Sequence, residues 1–153
     1  MTGVQTCALP IYDFDIAANV WSATSFTELK RDGDAVERWN LLHPESTPRT
    51  PYVTECLNHF PGTPVVAATD YVKLYADQIR GYVPGRYLVL GTDGFGRSDD
   101  RAALRRHFEV DRYHVVVAAL SALAAEGTVD AARVTAAMSR YGIDPERPDP
   151  RLL

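Results

Sequence analysis

Two short apolar runs, Val65-Val-Ala-Ala-Thr69 and Tyr87-Leu-Val-Leu90, most constrain what this chain can become. Both are too short for a helix and are bounded by Pro and Gly, so they read as buried strands. Between them Tyr71, Leu74, Tyr75, Ile79 and Tyr82 recur at helical spacing, with Thr69 or Asp70 as cap and Pro84-Gly85 as stop. Strand, helix, strand in this rhythm predicts an α/β domain whose sheet is mainly parallel and flanked by helices.

The flanking sequence extends the pattern. Asn19-Val-Trp-Ser-Ala23 is a third strand candidate, and Ser25-Phe-Thr-Glu28 has the form of a capping box opening a helix. Gly33 predicts a break in that helix. The stretch "HPESTPRTP", with three prolines, is a loop. Thr50-Pro51 suits the N-cap and first helical position of a helix reaching about His59.

After the second strand comes "GTDGFGRSD", residues 91–99. Asp99 or Asp100 then caps a helix to about His107, and Asp111 opens another through Glu126, closed by Gly127. A last helix runs from Asp130 to Tyr141, with Gly142 placed where a positive φ is needed. The tail "DPERPDPRLL" is rich in proline. Three strands are few for 153 residues, so the sheet reads as incomplete.

Composition excludes some classes of function. At 46% hydrophobic and 24% charged, this is the make-up of a globular domain. A net charge of -4 and no basic stripe argue against a nucleic-acid surface, since Lys30-Arg31 and Arg105-Arg106 sit among acidic neighbours. No run approaches the roughly 20 apolar residues of a membrane span. Cys7 and Cys56 make neither a metal-ligand spacing nor a disulfide framework, which points to a cytoplasmic location.

The loop "GTDGFGRSD" has the glycines of a phosphate cradle, but in the order G-x-x-G-x-G. Each glycine of the dinucleotide fingerprint has its own steric role at a fixed offset, so the order matters. No Gly-Lys-Ser/Thr follows, which excludes a P-loop. Ligands of open parallel sheets favour the strands' carboxyl ends, where Ser25, Thr69, Asp70, Asp93 and Arg97 would gather. The local patterns already explain Ser25, Thr69 and Asp70 as helix caps, and that reading is favoured. His43, His59, His107 and His114 show no zinc spacing, Cys56 reads as a packed thiol, and no nucleophile elbow occurs.

Several blocks together, "VWSATSFTELKRDG", "VERWNLLHP", "PVVAATDYVKLYADQIRGYVP", "LGTDGFGRSD" and "HFEVDRYHVVVAALSALAAEG", resemble one family. It is the C-terminal domain of the homodimeric, acetyl-transferring bacterial pyruvate dehydrogenase E1 component, in the transketolase superfamily. The resemblance runs from about Asp13 to Leu153, and "YGIDPERPDP" fits the family's close.

The resemblance implies an enzyme that decarboxylates pyruvate with thiamine diphosphate and Mg²⁺ and acetylates the lipoyl groups of E2. Cofactor and catalytic residues belong upstream of this segment, so no catalytic, cofactor-binding or metal-binding residue is assigned here. The expected role is structural: packing against upstream E1 domains and the second E1 subunit, with E2 as partner of the intact complex. Asp70, Asp93, Phe95, Arg97 and Asp99 are the residues assigned to fixing the loop or meeting a neighbouring domain.

Residues 1–12, "MTGVQTCALPIY", carry no charge and do not resemble the family. They are expected to be a non-native leader, with the domain at 13–153 truncated at its N-terminal strand and helix. Two other readings stand beside this one: a free-standing flavodoxin-like module binding a phosphate or nucleotide, and the same domain from another thiamine diphosphate enzyme.

Overall fold

The computed structural model describes residues 10–152; most of the expected leader and Leu153 lie outside the described residues. The chain opens with a 3₁₀ turn, Pro10–Phe14, and continues as helices α1 (Phe26–Leu42) and α2 (Tyr52–Leu57). Strand β1 (Val65–Ala68), helix α3 (Lys73–Asp77), a 3₁₀ turn at Arg80–Tyr82 and strand β2 (Tyr87–Leu90) form the expected strand–helix–strand unit. Helices α4 (Arg101–His107), α5 (Arg112–Ala125) and α6 (Ala131–Arg140) follow, and a 3₁₀ turn at Pro150–Leu152 ends the described chain.

The two strands pair in parallel, Val65 opposite Tyr87 through Ala68 opposite Leu90. Val65, Ala67, Tyr87 and Val89 therefore share one face. There they pack with Val53, Ile79, Tyr82 and Val83, under Phe26 and Leu29 of α1. Alternation turns Val66 and Leu88 to the other face, where α5 lies against both strands. Beyond it α5 and α6 close a second cluster of Val116, Leu120 and Ala137. Ile11 and Phe14 of the opening turn belong to this cluster, and Ile11 is only 5% exposed. The result is an α/β arrangement with helices on both faces of a parallel sheet.

Most predicted helix starts are made by the expected side chains. Ser25 Oγ accepts from the Glu28 N–H at 3.2 Å, Asp100 from Ala103, Asp111 from Tyr113 and His114, and Asp130 from Ala132. The reciprocal half of the capping box is not the one predicted, since Glu28 pairs with Arg31 at 2.7 Å. Gly127 and Gly142 take φ of +73° and +59° at their helix ends.

Four expectations are corrected. Residues 19–23 run without ladder hydrogen bonds: among the described residues β1 pairs only with β2, and Trp21 instead meets the Phe60 ring edge-on. A strand exists only where a neighbour takes its backbone groups, so the sheet has two described strands, not three.

Gly33 does not break α1. A Cβ there would lie 2.3–2.6 Å from the Tyr82 ring, so the glycine is a seat for that ring. The predicted helix over Tyr71–Tyr82 is short: α3 starts at Lys73 and stops at Asp77. Its continuation tightens to 3₁₀ so that Tyr82 can swing onto Gly33, with its hydroxyl 2.6 Å from Asp34 and 3.1 Å from Glu37. Finally, Pro51 rather than Thr50 precedes α2, and the Tyr52 N–H finds its acceptor in Asp32 of α1, at 2.7 Å. Among the described residues no helix is long and apolar enough to cross a membrane.

Candidate functional site

The loop after β2 starts where Gly91 meets the backbone entering α3. A Cβ on Gly91 would stand 2.6 Å from the Lys73 nitrogen and 2.7 Å from the Tyr71 carbonyl, so only glycine lets the two segments approach this closely. Thr92 then stitches them together: its N–H donates to the Tyr71 carbonyl at 2.8 Å and its hydroxyl to the Asp70 carbonyl at 3.0 Å. Asp93 Oδ1 accepts the Lys73 N–H at 2.9 Å. That carboxylate fills the capping place at α3 that sequence spacing gave to Thr69 or Asp70. Thr69 Oγ1 accepts locally from Tyr71 at 3.2 Å instead.

Gly94 sits at φ +115°, a region closed to other residues, with the Pro150 carbonyl and Arg151 Cα directly over it. Gly96, by contrast, has open space around it and is not required sterically. Phe95 lies between them, 82% exposed. Arg97 Nε stands 3.8 Å from Asp99 Oδ2, and Asp99 Oδ1 accepts from the Asp100 N–H. Asp70 reaches away from the loop to Arg105 of α4, whose guanidinium makes a 3.0 Å contact, with Arg101 at 4.0 Å. The structure thus brings Asp93 to α3, Asp70 to α4, and keeps Arg97 and Asp99 together at the rim.

The first residues of the loop are taken up by contacts within the chain. A phosphate cradle offers several unspent backbone N–H groups to an anion. Here Thr92 N–H is already bonded, Asp93 brings negative charge to the loop's start, and the tail covers Gly94. What this edge offers outward is apolar: Tyr71 (67% exposed), Val72, Leu74 (74%) and Phe95.

Two features were missed by sequence reasoning. Asp111 both caps α5 and accepts from His114 Nδ1 at 2.8 Å, with Arg106 at 3.4 Å. Burial pushes its carboxyl upward, but the hydrogen bonds from His114 and the Arg106 guanidinium outweigh this and hold it at about 2. Spacing showed the cap but not the arginine five residues upstream folding back. An open pocket of about 440 Å³ is lined by Asp13, Arg112, Tyr113, Arg140 and Tyr141. Arg140 is joined to Asp13 there at 2.8 Å, a pairing across the chain that no local pattern signals.

Fold and loop together define a parallel α/β domain whose carboxyl edge is closed by its own backbone and tail. The chain belongs to the family described as the transketolase-like TK C-terminal domain, whose profile matches residues 6–111. It is 60% identical over 139 residues to the pyruvate dehydrogenase E1 component of Pseudomonas aeruginosa, covering 90% of this chain and 16% of that protein. It is 54% identical over 141 residues to the E1 component of Escherichia coli K12, covering 92% and 16%. The Haemophilus influenzae E1 component is 56% identical over 139 residues, covering 90% and 15%. The chain therefore spans about one sixth of the length of these curated relatives.

Proposed function

We propose that this chain is the structural, dimer-assembly domain of a pyruvate dehydrogenase E1 component acting in the cytoplasm. In the intact enzyme, pyruvate would be decarboxylated on thiamine diphosphate with Mg²⁺ and the acetyl unit passed to the lipoyl groups of E2. The observation that carries the reading is the 60% identity sustained across 90% of the chain to one such protein. The exposed apolar edge of Tyr71, Leu74 and Phe95 supports a packing role.

Thiamine diphosphate brings the carbanion-stabilising chemistry when bound. Its magnesium needs several oxygen ligands. Among the described residues no three His, Cys, Asp or Glu side chains converge on a point that could hold a metal. No step through the cofactor is assigned to these residues. Their proposed work is to pack: Asp70, Asp93, Arg97 and Asp99 shape the edge, and Phe95 enters the neighbouring domain or second subunit.

The test is complementation. The chain is co-expressed with an E1 component lacking the matching segment. Co-purification and restored, thiamine diphosphate-dependent pyruvate decarboxylation are expected. No association, or saturable binding of a nucleotide or flavin by the chain alone, would overturn the proposal.

A further inference from the structure

The tail meets the loop in a way that the packing role does not by itself require. At Gly94 a Cβ would lie 3.2 Å from both Arg151 Cα and the Pro150 carbonyl, so backbone rests on backbone and no rotamer change can relieve it. Upstream in the tail, Arg147 is anchored to the C-terminal end of α4. Its Nη1 donates to the Arg106 carbonyl at 3.3 Å, and its Nη2 lies 3.2 Å from His107 Nδ1. A guanidinium has no acceptor, so Nδ1 must accept, with the imidazole proton on Nε2. Asp149 then folds the tail over: its carboxylate accepts the Arg151 backbone N–H at 2.9 Å and pairs with the Arg151 guanidinium.

On the other side of this contact the loop holds α3, through Asp93 on the Lys73 N–H and Thr92 on the Tyr71 carbonyl. Tail, loop and α3 start are therefore linked in series. Phe95 and Leu152, one on each side of the contact, are both 82% exposed.

We propose that residues 144–152 are a strap that holds the 91–97 loop in the shape presenting Phe95, so that tail and loop act as one composite contact surface. The use of that surface by neighbouring E1 domains rests on the reading above. Arg147 is the positioning residue: it touches neither Phe95 nor the loop, and acts by seating the strap.

Hydrogen exchange of backbone amides in the full chain, read residue by residue by NMR, tests this. In Arg147→Ala, the amides of Lys73 and Thr92 are expected to exchange roughly fivefold or more faster, the factor a lost hydrogen bond carries. The sheet amides of Val65 and Thr69, bonded to Arg86 and Leu90, should stay within about twofold of the parent by the same measure. Arg147→Lys, which keeps the charge but lacks the planar fork of the guanidinium, should fall between. An unchanged loop in Arg147→Ala, or an equal acceleration of loop and sheet, would overturn the strap. Failure of the complementation assay with the exchange response intact would instead sink the E1 reading.

Discussion

Gly33→Ala would ordinarily stabilise a helix interior by about 1 kcal/mol, because alanine loses less backbone entropy. In α1 the sign should reverse. The new Cβ would stand 2.3 Å from Tyr82 Cε2 and 2.4 Å from Cδ2, well inside contact distance, and Tyr82 is only 7% exposed. The ring must move. Overpacking of this kind costs about 1–3 kcal/mol, and displacing the hydroxyl from Asp34 loses a hydrogen bond worth about 1 kcal/mol. After subtracting the propensity gain, the net is a loss of about 1–3 kcal/mol, or roughly 2–12 °C in Tm for a chain of this size.

The assay is thermal and urea unfolding followed by circular dichroism, for the parent, Gly33→Ala, Tyr82→Ala and the double variant. With the ring removed, adding the methyl should be neutral or favourable, so the two substitutions must couple by more than about 1 kcal/mol. A Gly33→Ala protein as stable as the parent, or a double variant in which the effects simply add, would refute the account of Gly33 as the seat of Tyr82.

Ile11→Ala removes a buried side chain from the cluster with Val116 and Leu120, and is expected to lower unfolding free energy by about 2–4 kcal/mol in the same assay. A loss under about 0.5 kcal/mol, the level of an ordinary surface change, would show that the opening turn does not contribute to the core. Asp111 is held below its ordinary carboxylate range, at about 2. Its contribution is therefore present above pH 3.8 and is lost as the pH falls through about 2. Asp111→Asn should flatten the fall of stability across that window by roughly 1–2 kcal/mol after solvent screening, and an unchanged slope would refute the assignment. Among the described residues β1 is paired on one edge only, and this edge together with the exposed Tyr71, Leu74 and Phe95 should make the isolated chain self-associate. Sedimentation velocity should show growth with concentration, reduced in Phe95→Ser; a monomer at all concentrations would count against it.

Which parts of this molecule were legible beforehand follows from the range of the interactions involved. Ser25, Asp100, Asp111 and Asp130 cap helices through bonds spanning two or three residues, so spacing alone located them. The strand at 19–23 misled because Val and Trp suit a strand, while a strand needs a neighbour that local sequence does not supply. For the loop, sequence suggested that its glycines shape the chain, but not that Gly91 yields to α3, Gly94 to the tail and Gly96 to nothing.

The sequence by itself determined the α/β class, the parallel strand–helix–strand unit, most helix starts and the family. These depend on the period of apolar residues and on hydrogen bonds within one turn of chain. Only the tertiary structure decided that Gly33 is a seat and not a break, that Asp93 caps a helix twenty residues before it, and that the tail lies over Gly94. Such contacts join residues far apart in the chain, and their strength depends on distances that exist only once the helices have packed against the sheet.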